Sequence, residues 1–189
     1  MNNFSDFPDI IEEGEQVVIS EKIKGCLTTI SVVEHNSAKQ LMANGFASDF
    51  EVINHQFGYL SQIPEVMEML NVLSATHKQV IVFGESYEGQ TGKYTKHTFP
   101  SSALLKVFDI LVDGQYLSFG TFAYLTVKYH VPTVRFLYLG RFHKDLLQLA
   151  NNKSTLDNSQ MMDSIVIKPV TERTHPDVGR VILQHRGQL

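Results

Sequence analysis

Apolar residues in this chain gather in short runs more often than they recur at helical spacing. Val17–Ile19 leads into Ser20-Glu21-Lys22-Ile23-Lys24-Gly25, and Leu27–Val33 resumes a β-rich run. That pattern predicts a strand, a sharp glycine-containing turn and a second strand. From Ile63 the spacing changes: Ile63, Val66, Met67, Leu70 and Leu73 fall on one helical face, with Ser61 placed to cap it. Gln79–Glu85 predicts a buried strand and residues 86–102 a polar loop. Leu104–Val112 predicts another strand, ended by the hairpin signal Asp113-Gly114. A second helix is expected after Ser118, with Phe122, Leu125 and Tyr129 inward and its end before Pro132. Strands over Val134–Leu139, Ile165–Lys168 and Arg180–Gln184, a short helix over Asp145–Ala150 and a loop over 151–160 complete the chain. Residues 1–15 read as a polar lead-in broken by Pro8 and Gly14, and the pattern over 34–60 is mixed. Strands dominate and the helices are interspersed, which predicts an α+β fold with mainly antiparallel sheet.

Composition narrows the classes. Hydrophobic residues make up 43% and charged residues 19%, so the chain carries enough apolar side chain for a real core and is not globally disordered. No internal repeat or linker interrupts its 189 residues, which are expected to form a single domain with no accessory domain after the last strand. The formal net charge of −4 argues against wrapping nucleic acid on a broad basic face, though a local basic groove is compatible with it. No arginine precedes Arg135. A single cysteine, Cys26, excludes an intrachain disulfide and a cysteine-based zinc site and fits a reducing, cytoplasmic setting. The N-terminus shows no signal-peptide pattern, and no apolar run approaches the ~20 residues needed to span a bilayer. The histidines are scattered, without metal-ligand spacing.

Candidate chemistry lies in short segments at strand ends. Lys22 stands at the end of a strand with Gly25 three residues on. Glu85 follows Gly84 after the apolar run Val80–Phe83. Phe108-Asp109 lies inside another strand, Lys168 ends the run Asp163–Ile167, and Arg180–Arg186 closes the chain. Taken singly, each segment is as well explained by a solvated lysine, a turn carboxylate, a core phenylalanine or an edge-strand cation.

In this order the segments resemble the covalent nucleotidyltransferase superfamily, above all ATP-dependent RNA ligases of the RNA ligase 2 type. Glu21-Lys22-Ile23-Lys24-Gly25 is similar to the nucleophile motif of that family, Val82–Glu85 to the motif with a ribose- or metal-facing glutamate, and Val107–Ile110 to the motif whose aromatic stacks on adenine. Ser164–Pro169 and Arg180–Arg186 resemble its last two strand motifs. The resemblance runs from about Phe7 to the C-terminus. It implies an ATP-grasp-like nucleotidyltransferase domain in which Lys22 is the catalytic nucleophile. Glu21, Ile23, Lys24, Glu85, Phe108, Lys168, Gln184 and Arg186 would contact ATP or AMP, and Asp163 and Glu85 would serve Mg²⁺ or Mn²⁺, through water or directly. The partners implied are ATP and RNA ends, a 5′-phosphate and a 3′-hydroxyl.

Physical chemistry agrees with that assignment. An unperturbed lysine ammonium costs roughly 4.6 kcal/mol to deprotonate at pH 7. Nearby cations lower that cost, and Lys24, Lys168, Arg186 and a bound Mg²⁺ are the candidates. The same charges would bind a triphosphate and stabilise in-line attack at the α-phosphorus.

The chain also departs from the family pattern. Asp163-Ser164 stands for the usual Glu-Gly, and Gln184 for a lysine. Lys24 stands where histidine or aspartate is commoner, and no arginine follows the nucleophile strand, so that its counterpart within Asn44–Asp49 is open. Loss of a charge-assisted bond at Gln184 costs roughly 1.5–3 kcal/mol, about 10- to 150-fold in rate if it acts in the transition state. Four readings follow: an RNA ligase domain weakened at Asp163 and Gln184, a degenerate module that binds nucleotide or RNA ends without turnover, a DNA-ligase or GTP-using capping-type nucleotidyltransferase, and a plain α+β protein whose motif matches are accidental.

Overall fold

The computed structural model describes every residue except 36–37, 45–62, 89–102 and 188–189. The Asn44–Asp49 question beyond Asn44, the cap at Ser61 and most of the expected 86–102 loop therefore fall outside the described residues. The fold is α+β with mainly antiparallel sheet, in two compact units. The chain first passes from one unit to the other between Ile23 and Lys24.

The first unit comprises Met1–Ile23, Ser118–Gly120 and Val134–Leu189. Its strands are β1 (Asn2–Asn3), β2 (Gln16–Glu21), β8 (Phe136–Arg141), β9 (Ser164–Pro169) and β12 (Leu183–Arg186), in the sheet order β1-β12-β9-β2-β8. All pairings are antiparallel except β1 with β12. A separate two-stranded ribbon joins β10 (Thr174–His175) to β11 (Gly179–Arg180). Val17, Ile19, Ile165, Ile167 and Leu183 share one face of the sheet, and each is fully buried. Phe4, Ile10 and Ile11 pack on this core. The lead-in is therefore not merely polar: its apolar residues are too sparse to show a period, yet Phe4, Phe7, Ile10 and Ile11 all pack on the core. The expected strand over Arg180–Gln184 is two strands in different sheets, because Val181 turns inward between them. The expected strand over Val134–Leu139 starts two residues later. The expected short helix is a 3₁₀ segment, Lys144–Asn151.

The second unit comprises Lys24–Leu117 and Thr121–Thr133. Its sheet has the order β4-β3-β5-β6-β7, all antiparallel: β3 (Cys26–His35), β4 (Ala38–Asn44), β5 (Gln79–Glu88), β6 (Ala103–Val112) and β7 (Gln115–Tyr116). Ile30, Val32, Val80, Val82 and Ile110 are buried on one face, where helix α1 (Pro64–Thr76) packs. The helix buries Val66, Met69 and Leu70 completely, whereas Met67 and Leu73 are only half-buried. The stripe is thus rotated toward Met69, and Ile63 takes the N-cap position without a side-chain cap bond. β5 runs on to Glu88, past the expected end at Glu85, because β3 pairs with it as far as Ser86 and β6 as far as Glu88. The β6–β7 hairpin turns at Asp113 and Gly114 with φ of 47° and 82°, as the sequence predicts. Helix α2 (Phe119–Lys128) stops before Pro132, with Phe122, Leu125 and Tyr129 buried.

Candidate functional site

Strand register brings four of the candidate residues together in the first unit. Val18 stands opposite Lys168, Ser20 opposite Val166, and Val166 opposite Gln184. Opposed residues share a face, so Lys168 and Gln184 lie on the side of the sheet away from the core, and Arg186, two residues on, joins them. Alternation from Ser20 carries Lys22 to this same face at the end of β2, where its N–H donates to Ser164 O at 2.9 Å. The Lys22 Nζ donates to Ile23 O at 3.0 Å, and Ile23 itself is buried. Asp163 immediately precedes β9 and is exposed.

The cations on this face differ in how they are held. Lys168 is buried, with its Nζ 3.6 Å from Glu172, and Glu172 also takes two bonds from Arg180 at 2.6 and 2.7 Å. Burial works to raise the Glu172 carboxyl, but Arg180, by hydrogen bond and charge, and then Lys168 hold it below its ordinary value. Arg186 is exposed. Gln184 donates to the Ser164 hydroxyl at 2.8 Å, which in turn lies 3.2 Å from Asp163 Oδ2 as donor. Three of the residues that depart from the family pattern thus form one hydrogen-bonded chain. Sequence spacing alone does not reveal this, since 20 residues separate Gln184 from Ser164.

Glu21 does not face the same way as Lys22. It alternates to the core side, is 3% exposed, and accepts bonds from Ser154 and Thr155. Neither Ser154, Thr155 nor Glu172 stands out in the sequence, because hydroxyls in a polar loop and a glutamate in a connector carry no pattern.

The other three candidates lie in the second unit. Lys24 is exposed. The β5–β6 register slips between Phe83 and Gly84, so that Phe83 opposes Asp109 while Gly84 opposes Val107, and Phe108 is the extra residue of a β-bulge. Its ring lies 6.5 Å from that of Phe83, which places it on the Phe83 side of the sheet. Glu85, two residues after Phe83, shares that side and is buried. Gly25 packs against the same carboxylate: a Cβ there would lie 2.7 Å from Ser86 O and 3.1 Å from Glu85 Oε2. The motif glycine is therefore required by a close approach, since its φ is not positive as the expected sharp turn would need. Burial, and then the charge of Glu85, push the neighbouring Cys26 thiol up.

Among the described residues, no group of three or more His, Cys, Asp or Glu side chains gathers into a metal cage. One exposed carboxylate such as Asp163 fits a hard cation that keeps most of its waters and takes its other ligands from phosphate, which is the habit of Mg²⁺. No helix is long and apolar enough to cross a membrane among those residues.

Comparison with known proteins bears on the fold and the family. A search of curated proteins found no match. Among solved structures, an RNA ligase of Naegleria gruberi with PPi aligns at TM-score 0.69 and 16% identity, over 98% of this chain and 54% of that one. A mutant of that ligase with AMP and Mn aligns at 0.65 and 16%, over 93% and 50%. Another with ATP and Mn aligns at 0.64 and 15%, over 93% and 50%. At such identities the likeness concerns the fold, and the chain spans about half the length of these structures. Residues 15–183, from the lead into β2 to the start of β12, match the family model for RNA ligase, and the chain belongs to that family.

Proposed function

We propose that this chain is the nucleotidyltransferase domain of an ATP-dependent RNA ligase of the RNA ligase 2 type, with Lys22 as its nucleophile. The observation that carries the reading is the placement of Lys22 at the end of β2, on the sheet face that also bears Lys168, Gln184 and Arg186, in a chain of the RNA ligase family. The neighbouring structures, solved with ATP and Mn, AMP and Mn, and PPi, hold the substrate and products that such a reaction would have.

In the first step the Lys22 amine attacks the α-phosphorus of ATP. A P–N bond forms, the bond to the β-phosphate oxygen breaks, and pyrophosphate leaves. An oxygen of an RNA 5′-phosphate then displaces the lysine, and a 3′-hydroxyl attacks that phosphate and expels AMP. Lys168 and Arg186 supply positive charge to the phosphates. By the family resemblance, Phe108 would offer a flat face to a purine and Glu85 acceptors to ribose hydroxyls. Mg²⁺ or Mn²⁺, when bound, would shield phosphate charge, with Asp163 the carboxylate best exposed to hold it or its waters. Gln184 brings no charge, and its amide is engaged with Ser164, which favours a slow first step. The same observation favours the second reading, a module that binds nucleotide without turnover.

Intact-protein mass after incubation with ATP and Mg²⁺ separates the two. A gain of one AMP, lost in Lys22→Ala, is expected. No gain in the wild type, or a gain that survives Lys22→Ala, would overturn the reading. ATP binding without the mass gain would point to the module. Joining of RNA rather than DNA ends by the adenylylated protein tests the substrate.

A further inference from the structure

The residue before the nucleophile is buried, charged and fully committed elsewhere. Glu21 Oε1 accepts from Ser154 Oγ at 2.6 Å, and Oε2 accepts from the backbone N–H of Thr155 at 2.9 Å and from the Thr155 hydroxyl. The loop that supplies these donors is itself organised. Ser154 N–H donates to Gln160 O at 2.9 Å, Lys153 bridges Met161, and the Asp157 carboxylate gathers Ser159 and Gln160. The backbone on either side of Glu21 is tied as well: Glu21 N–H donates to Arg135 O at 3.1 Å and Lys22 N–H to Ser164 O at 2.9 Å. A carboxylate out of water must be satisfied by donors, and charge-assisted bonds to hydroxyls and an N–H are among the stronger ones. Those bonds join the end of β2 to a loop that the strand pairing does not otherwise hold.

We propose that Glu21 is a positioning residue. Its carboxylate latches the 152–162 loop beneath the end of β2 and so fixes the backbone from which Lys22 projects, with no contact of its own to the nucleotide. This rests on Lys22 being the nucleophile, as proposed above, and it replaces the expectation that the Glu21 side chain binds ATP.

The test leaves the buried glutamate in place first. The double substitution Ser154→Ala/Thr155→Val removes both hydroxyls from a loop in which Ser154 is half-buried and Thr155 exposed. Glu21→Ala and Glu21→Gln complete the set. Single-turnover formation of lysyl-AMP is followed by mass against ATP concentration in Mg²⁺. Hydrogen exchange of the 20–24 amides is measured separately on each protein without nucleotide. The latch predicts a maximal rate lowered roughly 10- to 100-fold in the double variant and in Glu21→Ala, because misplaced reacting groups cost that much. It also predicts half-saturation by ATP within about twofold of wild type, since binding contacts are untouched. Glu21→Gln, which keeps an acceptor for Thr155, should recover most of the rate, and exchange at Lys22 should quicken in the two slow variants. A raised half-saturation at unchanged maximal rate would return Glu21 to the nucleotide and overturn the latch. So would a silent double variant beside a slow Glu21→Gln, since charge would then matter and not the bonds. Unchanged exchange at Lys22 overturns the latch even if the wild type forms no lysyl-AMP, an outcome that by itself removes only the function proposed above.

Discussion

Gly25 shows how one missing carbon ties two motifs together. A methyl group there meets backbone Ser86 O, which cannot swing aside, and the Glu85 side chain as well. Gly25→Ala is expected to destabilise the protein by about 1–3 kcal/mol, the range for overpacking. Thermal unfolding checks this, and an unchanged melting temperature would contradict the close approach. The chain Gln184–Ser164–Asp163 makes a second residue-level prediction. Because Gln184 and Ser164 bond to each other, restoring the family's residues should be non-additive. Gln184→Lys with Ser164→Gly is expected to raise the rate beyond the product of the two single effects, with a coupling of about 0.5–3 kcal/mol. Simple additivity in single-turnover rates would mean that the two departures act independently.

Strand β12 presents different chemistry on its two faces. Gln184 and Arg186 lie away from the core, while Leu183 and His185 alternate toward it. The His185 ring meets Phe4 edge-on at 6.1 Å, and its Nδ1 is buried with no hydrogen-bond partner among the described residues. Burial pushes its pKa below the usual 6.5. The unfolded chain therefore takes up a proton on acidification before the folded one does. Above about pH 6.5 the ring is neutral in both states and costs nothing. As pH falls through that value toward the lower folded pKa, the unfolded state binds more protons and stability declines. Urea midpoints taken between pH 7.5 and 5 should fall for the wild type and fall less for His185→Phe. Equal slopes for the two proteins would rule out His185 as the source.

At the level of the whole chain, charge sets what it can bind. All the arginines lie from Arg135 onward, within the first unit. Arg173 is tied to Glu15 and Ile10 O, and Arg180 to Glu172, whereas Arg135, Arg141 and Arg186 are exposed. With a net charge of −4, an RNA end would be held by few phosphate contacts. Each contact to a single strand contributes a slope of about −0.7 in log affinity against log salt. A total slope no steeper than about −2 is therefore expected for a 5′-phosphorylated oligonucleotide, measured by fluorescence anisotropy across salt concentrations. A slope near −5 would reveal a broad basic groove and contradict the charge argument.

Local pattern by itself determined the elements: the short apolar runs of β2, β3, β5, β6 and β9, the helical stripe beginning at Ile63, and the Asp113-Gly114 turn, whose left-handed backbone those residues accept at low cost. Resemblance in motif order, not local pattern, singled out Lys22, Lys168, Gln184 and Arg186, and strand register sets them on one sheet face. Tertiary structure alone decided where the side chains point and what they touch. The slip that turns Phe108 toward Phe83, the rotation of α1 onto Met69, and the commitment of Glu21 to Ser154 and Thr155 all come from pairing across more than ten residues of chain. Period and propensity act over a few residues. Register, burial and the satisfaction of a buried carboxylate are settled only when distant segments pack, so no local pattern records them.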